Sequence, residues 1–220
     1  MINQSSLMFD RVKNFIEQNG LLLVGIPVFG LMGGLGYYFY SSYSHGEQER
    51  AQLAFSQTLG EFRHGEKNVE LWPNVELAAK AGYRSYKSTT FGPYFLVVES
   101  QAALRQGNIH DGVKLLDEAL KLMGSRSPFY WLYKTKSALI KLDVDDSALQ
   151  TEGFKELEKL AYDKANLQRD EALYYLGDYY MNQGNKDKAL SVWQELKKEF
   201  PVTNDSSASP WTFRVDEKAE

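Results

Sequence analysis

The sequence predicts an all-α protein: a single N-terminal transmembrane helix followed by an α-solenoid of about three helix pairs. Three observations point there. A charge-free apolar run lies near the N-terminus, Gly-Asn breaks interrupt two stretches of helical periodicity, and the mean hydropathy of -0.44 confines any membrane segment to a local stretch of a water-soluble chain.

Residues 20–46 contain no Asp, Glu, Lys or Arg, and within them Leu21–Tyr40 (LLLVGIPVFGLMGGLGYYFY) is a run of 20 almost purely apolar residues. At about 1.5 Å per residue such a helix spans roughly 30 Å, the thickness of a bilayer core. A buried core helix is rarely apolar on every face over that length. A cleaved signal peptide has a shorter apolar region. Here the run closes on Tyr37, Tyr38, Phe39, Tyr40 and Tyr43, the composition of an interfacial aromatic belt. The small residues Ser41, Ser42 and Ser44 leave cleavage open. Arg11 and Lys13 precede the span and Arg50 follows it, a bias toward a cytoplasmic N-terminus with the C-terminal domain on the other side. Gly30-x-x-x-Gly34 would let a neighbouring helix approach closely, although glycine is common in membrane helices generally. Phe9, Val12, Phe15 and Ile16 recur at helical spacing and predict a short amphipathic helix at the membrane surface. The resulting division is a cytoplasmic amphipathic lead over 1–19, a transmembrane helix over 20–43, connecting helices over 44–92, a repeat domain over 93–202 and a flexible tail over 203–220, whose Trp211 and Phe213 either dock onto the last repeat or a partner or are a stray aromatic pair.

The repeat signal is clearest at 170–201, DEALYYLGDYYMNQGNKDKALSVWQELKKEFP. Leu173, Leu176, Gly177 and Tyr180 fall on one helix face, Gly184-Asn185 turns the chain, and Ala189, Trp193, Leu196 and Phe200 form the face of a returning helix that Pro201 ends. This is the spacing of the 34-residue tetratricopeptide repeat (TPR), W-x2-L-G-x2-Y, then A-x3-F, then P, with Leu173 in the Trp position and Trp193 in the Phe position. One such hairpin cannot bury its apolar face alone, so neighbours are required. A second unit lies at 93–124, where Gly107-Asn108 is the turn, Phe95, Val98 and Ala102 line one helix, and Val113, Leu116, Leu120 and Met123 line the next. Gly107 and Gly184 are 77 residues apart, which leaves room for a central pair over 128–142 and 148–165 with Asp143–Ser147 as its turn. Upstream, 73–88 predicts a further helix followed by a turn around Gly92-Pro93.

No site of chemistry stands out. The net charge is -4, without the basic excess that phosphate neutralisation demands of a nucleic-acid binder. The absence of cysteine excludes disulfides, thiolate metal sites, a cysteine nucleophile and a lipidated cysteine. His45, His64 and His110 lack the spacing of a helical zinc site, and no phosphate-binding loop or nucleophile elbow is present. Asp143, Asp145 and Asp146 lack calcium-loop spacing. Glu156 and Glu158, beside Lys155 and Lys159, read as a solvated face. The expectation is a non-enzyme without cofactor or metal.

The lead over Phe9–Gln18, the Gly-rich span, the repeat domain and the stretch Ser88–Leu120 (STTFGPYFLVVESQAALRQGNIHDGVKLLDEAL) together resemble the bacterial ancillary Sec-translocon subunit family, from residue 10 to 201. The resemblance implies an inner-membrane, single-pass protein with its C-terminal domain in the periplasm. Its partners would be the protein-export channel, membrane-anchored chaperones or prolyl isomerases, and nascent exported chains, with no nucleic acid. Two alternatives stay open: a structural assembly factor for an envelope machine such as cell division or outer-membrane biogenesis, and a cytoplasm-facing TPR adaptor. Repeat register predicts a partner-binding groove lined by Tyr94, Val97, Gln101 and Leu104 in the earlier unit and Glu171, Tyr174, Asp178 and Met181 in the later one. These include no cation, so capture of a C-terminal carboxylate is not expected.

Overall fold

The computed structural model describes residues 45–202 and 209–219, with side chains up to Val215. The predicted lead, the transmembrane helix over 20–43 and the Gly30/Gly34 packing motif lie outside the described residues. No described helix is long and apolar enough to cross a membrane.

The chain divides into two compact units, Met1–Gln52 and Leu53–Glu220. The described part of the first, residues 45–52, is helical. The second is all-helical among its described residues. It runs as α1 (53–67), a short 3-10 turn (Val69–Leu71), α2 (Trp72–Tyr86), α3 (Gly92–Arg105), α4 (Ile109–Met123), α5 (Tyr130–Asp143), α6 (Ser147–Tyr162), α7 (Arg169–Asn182), α8 (Lys186–Glu199) and α9 (Pro210–Ala219). From α2 to α8 each helix packs against the next in sequence, and α9 rests on α7 and α8. Such nearest-neighbour stacking is what a solenoid requires.

The punctuation is chemical. Gly107 and Gly184 adopt φ of 82° and 74°. Each closes a helix by the same pair of bonds: Asn108 N–H to Ala103 O and Gly107 N–H to Leu104 O in one, Asn185 N–H to Tyr180 O and Gly184 N–H to Met181 O in the other. This is the Schellman closure, in which a left-handed residue satisfies the last helical carbonyls. The central turn uses different chemistry. The Asp146 carboxylate accepts the N–H groups of Ala148 and Leu149 at 2.8 and 3.0 Å and so caps α6. The hydrogen bond from Leu149 is the main reason that its carboxyl is held below the usual range.

The periodic residues form the core as predicted. Leu173, Leu176, Ala189 and Leu196 are fully buried, with Trp193 beside them. In the earlier unit Phe95, Ala102, Val113, Leu116 and Leu120 are likewise buried. Gly177 earns its place by close approach: a Cβ there would lie 2.1 Å from Trp193 Nε1, whose N–H reaches the Tyr174 carbonyl at 3.2 Å. Gly153 does the same in the central pair, where a Cβ would lie 2.7 Å from the Ala138 carbonyl oxygen across α5 and α6.

Two expectations are corrected. The region taken as connecting helices is a further packed pair. Phe62 of α1 meets Trp72 of α2 edge-on at 5.2 Å, and Trp72, Val75 and Ala79 share one core with Val98 and Ala102 of α3. Among the described residues the array therefore has four helix pairs rather than three. The turn expected around Gly92-Pro93 lies at 87–91, closed by the Gly92 N–H on the Thr89 carbonyl at 3.1 Å, and Gly92 and Pro93 then open α3, because proline at the start of a helix lacks only an N–H that would be unpaired anyway. Where Ser- and Asp-rich composition predicts a flexible tail, residues 210–219 form α9. Thr212 and Val215 are buried, Trp211 meets the rings of Tyr174 and Tyr175 at 5.0 and 5.2 Å, and Ser209 Oγ donates to Asp170 at 2.8 Å. α9 covers the apolar end that the last repeat would otherwise expose.

Candidate functional site

Side chains of α3, α5 and α7, the first helices of successive pairs, meet along one side of the stack. Between α3 and α5 the tie is polar: Lys136 Nζ donates to Gln101 Oε1 at 2.7 Å. Burial, followed by the neighbouring charge of Arg105, holds the Lys136 ammonium below its ordinary pKa. Nearer the start of the same helices, the Tyr94 and Ser127 hydroxyls lie 3.2 Å apart and the Tyr94 ring meets Phe129 edge-on.

Between α5 and α7 the face opens into a groove of about 560 Å³. Lys136, Ile140 and Asp143 line its α5 side, and Tyr175, Asp178 and Tyr179 line its α7 side. Gln150 of α6 also lines it, and its amide donates to the Val144 carbonyl at 2.8 Å. The rings are fixed from behind. Tyr179 stacks on Phe154 of α6 at 4.8 Å, and Tyr175 leans on Trp211 of α9. Burial, then the negative charge of Glu171, pushes the Tyr175 phenol above its usual range, so it stays a neutral hydroxyl at physiological pH. The volume falls within the usual range for a ligand site, and the lining mixes aromatic surface with a few fixed polar groups.

Two buried cations, which the sequence reading missed, hold the scaffold beneath this face. Lys141 of α5 is fully buried and its ammonium reaches Asp117 of α4 at 3.0 Å and Glu152 and Glu156 of α6 at 2.9 and 3.2 Å. Burial acts to lower its pKa, but the hydrogen bonds to Glu152 and Asp117 and the charge of Glu156 outweigh that and raise it. Glu156 therefore does not belong to a solvated face: it also accepts from Lys134 at 2.6 Å. Arg169 of α7 donates its Nε to the Ala161 carbonyl at the end of α6 and pairs with Glu195 and Glu199 of α8. A lysine or arginine in isolation reads as surface, and here the partners lie on other helices.

The predicted groove residues divide. Asp178 lines the groove and Gln101 sits on the same face through Lys136. Tyr94 lies at the α3 end, half-buried among Phe55, Phe129 and Ser127. Val97 and Glu171 are half-buried, and burial pushes the Glu171 carboxyl up. Tyr174 does not face the groove. It is buried in the core, its carbonyl taken by Trp193 and its ring by Trp211. Its neighbour Tyr175 takes the groove position instead, one residue and so about 100° around the helix. Met181 packs against the α6–α8 core. Leu104 turns toward α4, with its Cγ 2.5 Å from where a Cβ on Gly112 would sit. Both are corrected from groove to packing positions. His45, His64 and His110 are exposed, with His110 3.7 Å from Asp146. No group of three metal-ligating side chains is gathered among the described residues.

A stack of helical hairpins that presents the inner face of its first helices is a scaffold for holding other proteins. The chain matches the model of the tetratricopeptide repeat-like domain family over residues 13–207, most of its length, and it belongs to that family. No curated protein matches it.

Proposed function

We propose that this scaffold is anchored by residues 20–43 in a bacterial inner membrane, stands in the periplasm and serves as a non-catalytic accessory subunit at the protein-export channel. The binding role itself follows from the TPR-like fold. The observation that carries the reading is the groove between α5 and α7, whose tyrosines and amides are held in place by packing from α6 and α9 rather than consumed by the core. Preset aromatic and polar groups on rigid helices lower the ordering cost of binding an extended chain. The membrane placement is supported by the 20-residue apolar run and the flanking Arg11 and Lys13. The export-channel placement is supported by the resemblance over residues 10–201.

The test joins topology to partnership. Protease added to the periplasmic side of intact inner membranes should degrade the domain over 45–219, and the solubilised protein should co-purify with the channel and a membrane-anchored chaperone. A domain accessible only from the cytoplasmic side, with no channel in the eluate, would contradict the placement.

A further inference from the structure

We propose that the groove between α5 and α7 receives the cationic side chain, arginine or lysine, of a partner polypeptide; this rests on the protein-binding reading above. Four features of one cavity converge on a cation. The first is ring surface: Tyr175 and Tyr179 both line the groove, and a ring face attracts a guanidinium or ammonium through its quadrupole. Lys188 over the Tyr180 ring at 5.1 Å and Arg214 over Trp211 at 4.7 Å show the same affinity satisfied within this domain.

The second is charge. Asp143 and Asp178 enter the cavity from opposite walls. The one ammonium among the lining groups, Lys136, donates to Gln101 on the α3 side. The third is direction. The lining residues Ile140, Leu142 and Asp143 belong to the last turn of α5, and Tyr179 and Asn182 to the last turn of α7. Two helix C-termini thus come to one cavity, and the negative end of each helix dipole favours a cation there. The fourth is shape. Leu139, Ile140 and Leu142 supply an apolar wall against which the methylene stem of a lysine or arginine can lie while its head meets the carboxylates. An anionic or C-terminal carboxylate ligand would meet Asp143, Asp178 and two helix C-termini, with Lys136 alone of matching sign.

The experiment uses the full-length chain in detergent with three fluorescein-labelled twelve-residue Gly/Ser/Leu peptides that differ only at the central position: arginine, norleucine or glutamate. Affinity is read by anisotropy, and location by a photo-crosslinking amino acid at Asn182. The arginine peptide is expected to bind at least tenfold tighter than the norleucine peptide, to crosslink at position 182, and to weaken as salt rises. Asp143→Asn with Asp178→Asn, near-isosteric changes checked by circular dichroism, should cut the preference below threefold. Equal binding of the arginine and norleucine peptides, or preference for glutamate, would overturn the cation assignment while leaving the protein-binding reading intact. Absence of any peptide crosslink at 182 would overturn the assignment too, and photo-crosslinking from Tyr179 and Asn182 in living cells then decides whether the protein-binding reading falls with it. The peptide comparison in the unsubstituted chain remains decisive even if the double variant misfolds.

Discussion

Gly153→Ala and Gly60→Ala make the same chemical change in two helices and should move stability in opposite directions. At Gly60, in α1, an added Cβ meets nothing within 4 Å. The substitution then gains only helix propensity, about 1 kcal/mol. At Gly153 the Cβ would sit 2.7 Å from the Ala138 carbonyl oxygen, 2.8 Å from Lys141 Cβ and 3.0 Å from the Leu142 nitrogen. Ordinary contact begins near 3.4 Å, so α5 and α6 must separate by roughly 0.7 Å (3.4 minus 2.7) against backbone that has no rotamer to change. A gap of that size forfeits a quarter to a half of each dispersion contact along the seam. Overpacking of this kind costs about 3 kcal/mol at the upper end, against the same 1 kcal/mol of propensity, for a net loss of about 2 kcal/mol. In a domain of this size that lowers Tm by about 4–8 °C, while Gly60→Ala raises it by about 2–4 °C. Urea and thermal unfolding of the full-length variants, followed by circular dichroism, read both. A Gly153→Ala chain as stable as Gly60→Ala would refute the close-approach account of the repeat seam.

Other outcomes follow from the same packing. Lys141→Met should cost about 3 kcal/mol in urea unfolding, because it leaves Asp117, Glu152 and Glu156 facing one another, and adding Asp117→Asn should recover part of the loss. Glu99 is buried and its carboxyl is pushed up by burial, an effect that Lys80 partly opposes and Glu76 reinforces. A carboxyl whose folded pKa is raised costs stability as pH rises through that value, so Glu99→Gln should raise Tm at pH 7 and leave it unchanged well below the ordinary carboxylate range near pH 4. Trp211→Ala removes the ring contacts that seat α9 on Tyr174 and Tyr175 and should cost about 2 kcal/mol, with hydrogen exchange accelerating across 210–219.

The repeat units were legible because their signals are local. Gly184-Asn185 and Gly107-Asn108 announce a left-handed closure, and Leu173, Leu176, Gly177 and Trp193 sit at spacings that only a helical hairpin uses. The pair α1/α2 lacked such a break. Its helices meet through the 3-10 turn capped by Asn68, so Phe62 and Trp72 gave periodicity without a motif. α9 was hidden by its context: the Ser- and Asp-rich stretch before it dominates the composition, and Trp211 and Val215 offer barely one turn of apolar spacing. The groove was half legible. Register finds the inner face to within a residue, which suffices for Asp178 and fails for Tyr174. α7 carries four tyrosines, at 174, 175, 179 and 180, and the contacts that sort core from groove come from α8 and α9. Lys141 and Arg169 were illegible for a related reason, since each is defined by carboxylates brought in from other helices.

The measurement that tests the central claim most directly is site-specific photo-crosslinking in living cells. The reactive amino acid would be placed at Tyr179 or Asn182 in the groove and at Leu77, an exposed position on α2, as the control. The account expects polypeptide adducts from both groove positions, identified by mass spectrometry, and few from Leu77. Adducts from Leu77 with none from Tyr179 or Asn182 would contradict it.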